Sequence, residues 1–316
     1  MAKNIGVVQY SGTLGNTVGA KKSAGQKANT IRIKPTSTKV SYTGTLIAQR
    51  MKMRAITNLY SGLKGILDHA FQGVAYGAPS HNHFSRLALS KANSLNPDNK
   101  FPVFKGENRP IPFPVTIASG SAPAVMFGMT DADSAQHPNA AYISVGSTAV
   151  IAETSLLAML QAVNPEIQKG DQLTLIASML FGNGVQSATS ITDRTGLYSI
   201  RYDIRRLVLD KGDDDKLIAD YDELEGLTFA VDNGKLFVTY PNGVQIAFAV
   251  ILSRPSTTAN EENIQWERSN TNLVVLDEML IALNDEENVK AAMDSYRKSS
   301  ANAESPWYLN QGELNN

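Results

Sequence analysis

The chain has 316 residues, no cysteine and a formal net charge of −1, with 42% hydrophobic and 19% charged residues. This is the composition of a globular chain of about two domains, each large enough to bury a core, and it excludes wholesale disorder. Without cysteine there is no disulfide staple, no thiolate metal site and no cysteine nucleophile.

The apolar run at residues 5–8 is too short for a signal-peptide core. The longest nearly uncharged run, 140–163, contains Glu153, Gly146 and several hydroxyl residues. It reads as a strand followed by a short helix, so a soluble protein with no membrane partner is expected. The small net charge hides a segregation. Residues 1–67 hold eleven Lys and Arg and no Asp or Glu, leaving −12 for the remainder. Such a split points to an electrostatic partner, either nucleic acid or the acidic surface of another copy; a merely solvated basic arm is the plain alternative.

In chain order, residues 5–10 and 31–34 read as short strands, with turn signals at Ser11-Gly12, Gly15-Asn16 and Gly19 between them. Glycine is frequent there and apolar area small, so this leader is expected to order against another strand or another subunit. Residues 41–73 carry Met53, Ile56, Tyr60, Leu63, Leu67 and Ala70 at three-then-four spacing, which predicts one long helix of roughly 45 Å. Thr43 or Ser41 would cap it and Gly73 would end it. Gly62 and Gly65 inside it predict a close neighbour or a bend. A second helix over 80–95 completes a helical hairpin.

From residue 101 the pattern changes to strands, at 115–118, 124–127, 141–145, 172–181, 197–204, 227–231, 235–240 and 244–252, with a helix over 154–163. Asp232-Asn233-Gly234 and Pro241-Asn242-Gly243 predict hairpins between the last three. The polar tail carries a strand signal at 273–276 and a helix signal at 285–298. The expected class is α+β: a β-sandwich or barrel-like domain with a long helix, a helical hairpin and an extended N-terminal arm. The expected divisions are a basic arm at 1–40, the helical hairpin at 41–97, the β-rich domain at 98–260 and the tail at 261–316.

Several stretches imitate catalytic or metal motifs. Residues 12–23 resemble a phosphate loop, but Ala20 stands before Lys21 and no helical pattern follows, so a glycine-rich hairpin is expected. His81 and His83 lie two apart and face different sides of a helix, and neither His69 nor His137 has evident ligand partners. Residues 210–216 imitate an acidic calcium loop, but Asp215 and Tyr221 stand where Gly and Glu are needed. No nucleophile elbow, zinc-protease helix or acid pair in an apolar setting is present, so neither an enzyme nor a cofactor is expected.

The candidate interaction residues are Lys21, Lys22, Lys27, Arg32, Lys34, Arg50, Lys52 and Arg54. The matching acidic surface is Asp210, Asp213, Asp214, Asp215, Asp220, Asp222, Glu223 and Glu225. Only Tyr10 and Tyr42 are aromatic in the first 59 residues, so any contact with DNA would be non-specific and without base stacking.

Three stretches carry a family resemblance: Gly12-Thr13-Leu14-Gly15-Asn16-Thr17-Val18-Gly19 with residues 31–35, the long helix, and residues 164–177 with 247–254 and Gln265-Trp266-Glu267-Arg268-Ser269. Together they resemble a family of uncharacterised proteins of Bacteroides and of its crAss-like phages. The resemblance covers most of residues 1–270 and transfers no catalytic residue. It implies a virion structural protein, a ring subunit of the head–tail connector or tail, made in the host cytoplasm. Its expected partners are further copies of itself, the portal and adjacent tail or ring proteins. On this reading deletion of residues 1–40 abolishes assembly. The other two readings are a DNA-contacting accessory protein packaged with the genome and a surface- or glycan-binding β-domain. The last would need an aromatic platform, whereas Trp266 and Trp307 stand apart.

Overall fold

The computed structural model describes residues 2–4, 12–14, 17–20, 29–33, 44–95, 112–131, 134, 136–182, 198–209, 216–241, 243–256 and 266–276. The strand expected at 5–10 and the helix expected at 285–298 lie outside them. The chain divides into two compact units, one holding the strands before residue 43 and the other everything described from residue 44 onward.

The first unit is a sheet. Strands β1 (Ala2–Asn4), β2 (Gly12–Leu14), β3 (Thr17–Ala20) and β4 (Asn29–Ile33) pair in the order β1-β4-β3-β2, all antiparallel. The glycine-rich stretch therefore forms the expected hairpin pair, with Gly12 opposite Gly19. The sequence leaves open whether the leader orders against another strand or another subunit. Its described strands bond to one another, because backbone ladders need little apolar area to satisfy their own polar groups.

In the second unit the single long helix is broken. Helix α1 (Gly44–Gly62) stops, Leu63 leaves helical geometry, and a short helix α2 (Lys64–Leu67) follows. Glycine is required at the end of α1, because a Cβ at Gly62 would run into the Tyr202 ring. No neighbour approaches Gly65. Helix α3 (Ala78–Leu95) turns back after Gly77, whose φ of 83° is open to glycine. Pro79 sits in its first turn, where a missing N–H costs nothing. The Ser80 hydroxyl donates to Leu67 O at 2.6 Å, closing the end of α2 against the start of α3.

The strands that follow are β5 (Thr116–Ala118), β6 (Phe127–Met129) and β7 (Ala141–Ser144). After α4 (Leu156–Gln161), capped by Ser155 Oγ, come β8 (Gln172–Gly182), β9 (Tyr198–Val208), β10 (Thr228–Asp232), β11 (Lys235–Thr239) and β12 (Val244–Pro255). Short strands β13 (Trp266–Arg268), β14 (Thr271–Asn272) and β15 (Val274–Val275) complete the described chain. The result is α+β with several antiparallel sheets. One has the order β10-β11-β7-β6. A second has the order β13-β12-β8-β9, with β15 also on β12, and β14 pairs β5 separately.

Strand β12 shows how the layers stack. Ala247, Ala249 and Ile251 pack into a core shared with α1, α3 and β5, while Phe248, Val250 and Leu252 pack into a second core shared with α4, β7 and β11. The period of two sends alternate side chains to opposite faces, so a strand apolar at every position is buried on both. Strand β8 does the same with Ile176 and Leu180 on the helical side and Leu173, Leu175 and Met179 on the other. The sheet is thus a middle layer between helices and a second sheet. A bulge between Gln245 and Ala247 shifts the register and lets both Ile246 and Ala247 face the helices.

Of the two predicted hairpins, Asp232-Asn233-Gly234 is one: Asn233 and Gly234 have φ of 48° and 71°, and Asp232 faces Lys235. Pro241-Asn242-Gly243 is not, because β11 already has β10 and β7 on its two edges. The chain there passes to the other sheet. Gly243, at φ 81°, brings its backbone close to Leu180 O.

Two polar clusters pin this unit. Tyr60 and Lys64 both donate to the buried Asp68 carboxylate. Burial alone would raise Asp68; the two donors overcome it and hold the carboxyl below its usual range. Arg254 grips Asp171 with Nε and Nη2, each at 2.7 Å, and Nη2 also donates to Glu166 O. Asp171 is 2% exposed, and the hydrogen bond it accepts raises the Arg254 pKa above its ordinary value.

Candidate functional site

Of the basic residues singled out in the sequence, Lys21, Lys22, Lys27 and Lys34 lie outside the described residues, and Arg32 lies in β4 opposite Val18. On α1, Arg54 is exposed and Arg50 half-buried. Lys52 is a correction. It is 2% exposed and donates to Asn93 Oδ1 at 2.8 Å, out of reach of a phosphate backbone. It lies three and four residues before Ala55 and Ile56, on the core-facing stripe, and burial lowers its pKa. Met53, placed on that stripe by the sequence pattern, is 43% exposed.

Among the acidic residues, Asp210, Asp213, Asp214 and Asp215 lie outside the described residues. Asp220, Asp222 and Glu223 are exposed on two short 3-10 turns, Ile218–Asp220 and Asp222–Leu224, and Glu225 is exposed just after the second. Buried Ile218, Tyr221 and Leu224 anchor those turns to the second core, which directs the carboxylates outward. Arg205 ties the turns to β9 by donating to Glu223 O at 3.1 Å, and it pairs with Asp203 at 2.6 Å.

Strand β9 has the feature with the most direct functional content. It is 11 residues long and pairs with β8 over its whole length, from Gln172–Val208 to Gly182–Tyr198. On its other side no backbone partner occurs among the described residues. Its side chains alternate: Ile200, Tyr202 and Ile204 pack on the helical core, while Arg201, Asp203 and Arg205 face the other way. The outward row of N–H and C=O groups is a template for another strand.

Beside the end of β9 lies a cavity of about 300 Å³ between α2 and the middle sheet. Arg206 and Arg268 both line it, with Trp266, Gln172, Thr174 and Ser253. Arg206 Nη2 donates to Gly65 O at 3.0 Å. Arg268 Nε donates to His69 O at 3.1 Å, its Nη1 donates to Ser253 Oγ, and its guanidinium lies 5.3 Å from the Trp266 ring centroid. Burial, then repulsion from Arg206, pushes the Arg268 pKa down to about 10. Composition and spacing do not single out either arginine. They stand 62 positions apart and meet only because β9 and β13 lie in one sheet.

The histidines pack against rings. His81 stands edge-on to Tyr60, His83 against Phe71, and His137 stacks on Phe237 at 3.9 Å. No group of three or more metal-type ligands occurs among the described residues. Among them, no helix is long and apolar enough to cross a membrane. Compared with family models, curated proteins and solved structures, the chain matches none.

Proposed function

We propose that this chain is a structural subunit of a phage particle. It works by contacts with further copies of itself and with neighbouring virion proteins in a ring of the head–tail connector or tail, without catalysis. The observation that carries the assembly reading is the open edge of β9. Eleven residues of ordered, paired strand present a second ladder without a described occupant. A strand from a neighbouring subunit that docks there gains main-chain hydrogen bonds, and the alternating side chains set its register. The exposed carboxylates of Asp220, Asp222, Glu223 and Glu225 and the basic leader add long-range attraction between copies. The phage assignment rests on the family resemblance of the leader and of residues 164–177, 247–254 and 265–269.

The test is native mass spectrometry of the full chain with hydrogen exchange on the same samples. The expected result is a closed oligomer in which peptides spanning 198–208 exchange more slowly than in the dissociated subunit. A chain that stays monomeric at every concentration and is absent from particles encoding it overturns the reading. An oligomer with unchanged exchange over β9 overturns strand addition.

A further inference from the structure

We infer that the cavity between α2 and the middle sheet is a binding site for a phosphomonoester, a small organic group ending in a dianionic phosphate. This inference stands apart from the assembly reading and uses the opposite side of the unit's chemistry: two cations in need of an anion.

Arg206 and Arg268 bring two positive charges into one half-enclosed space. Among the described residues, neither has a carboxylate within ion-pair distance. The other tightly held arginines differ in this respect: Arg254 has Asp171 and Arg205 has Asp203. The two cavity arginines spend part of their donors on main-chain oxygens, Gly65 O and His69 O, at the end of the helical segment. Carbonyl dipoles there offset a fraction of the charge. A guanidinium has further N–H groups to spare, and in this half-open cavity they face water that an anionic ligand would displace.

Charge and shape select the class. Two guanidinium groups match the double charge of a phosphate monoester, and their planar forks bind its oxygens in pairs. A single carboxylate would leave one arginine uncompensated. Thr174 and Gln172 add neutral hydrogen-bonding groups on the sheet wall. The space of about 300 Å³ exceeds what an inorganic phosphate fills. Ile66, Ala70 and Ile251 make part of the remaining wall apolar, with the exposed Trp266 ring, His69 and Ser253 beside them. A phosphate on a small organic body fits both halves.

Isothermal titration of the full chain tests this, with inorganic phosphate, phenyl phosphate and acetate as separate probes. One saturable site is expected, tightest for phenyl phosphate, weaker for inorganic phosphate and weakest for acetate. Arg206→Gln, at an exposed position on β9, is expected to retain the parent's melting temperature and to weaken phenyl phosphate binding about ten-fold or more. Arg268→Lys, which keeps the charge and loses the fork, is expected to weaken it less than Arg206→Gln does. Inorganic phosphate bound as tightly as phenyl phosphate shows a free-phosphate site and overturns the organic ligand. No saturation with any probe below about 10 mM, or equal affinity in Arg206→Gln, overturns the site itself.

Discussion

Asp68 is a carboxylate held out of water by two donors, Tyr60 and Lys64. Its folded pKa lies below the unfolded value of about 3.9, so the stabilisation is present above that pH and is lost as pH falls through the folded value. Tyr60→Phe removes the buried donor and is expected to cost about 1–3 kcal/mol at neutral pH. The difference between variant and parent should begin to shrink below about pH 4, where the unfolded chain takes up the proton, and go on shrinking as pH falls through the lower folded value. Urea titrations at pH 7 and pH 3 measure it. An undiminished difference at pH 3 would assign the loss to packing. Lys52 and Met53 show why such residues escape a reading of hydropathy alone. The helical stripe is geometric and includes whatever stands at the right angle, here a lysine whose ammonium meets Asn93. The adjacent methionine is left in solvent.

At the scale of elements, the close approach of Tyr202 to Gly62 joins β9 to the end of α1. Gly→Ala in a helix ordinarily stabilises by up to about 1 kcal/mol. Here Gly62→Ala is expected to destabilise, because the ring must move. In a Tyr202→Ala background the same change should become neutral or stabilising. Thermal melts of the four proteins in this cycle decide the matter, and additive effects would separate the two residues energetically. The sequence pattern showed most elements here. The strands at 197–204 and 244–252 and the hairpin at Asn233-Gly234 follow from residue type and backbone freedom, whereas the two-sided burial of β12 emerges only from the packed layers. Which strands become neighbours was not readable, since pairing depends on which edges remain open. Pro241-Asn242-Gly243 has hairpin chemistry and joins two sheets nonetheless. For the same reason the open edge of β9 and the pair Arg206–Arg268 were invisible, while the charge segregation was plain from composition.

At the scale of the whole molecule, the second unit is a stack of helices, middle sheet and outer sheet joined through strands buried on both faces. Phe248 lies fully buried on the side of the outer sheet, with Phe127 edge-on at 5.9 Å. Phe248→Ala is expected to cost about 3–5 kcal/mol. The helical signal and the tertiary signal should fall together on heating, since β12 belongs to both cores. Circular dichroism in the far and near ultraviolet checks this; separated transitions would show that the layers melt independently.

The pairing of β5 with β14 carries a temporal consequence. Thr116 Oγ1 donates to Asn272 across 156 positions of sequence. A ribosome adding about 5–20 residues per second needs roughly 8–30 s to cover that distance. During that interval the nascent chain has its helices and β5 in hand while their seal is still untranslated. The helical surface destined for Leu273 and Val275 is then bare. A chaperone that shields apolar surface would be needed most in that window.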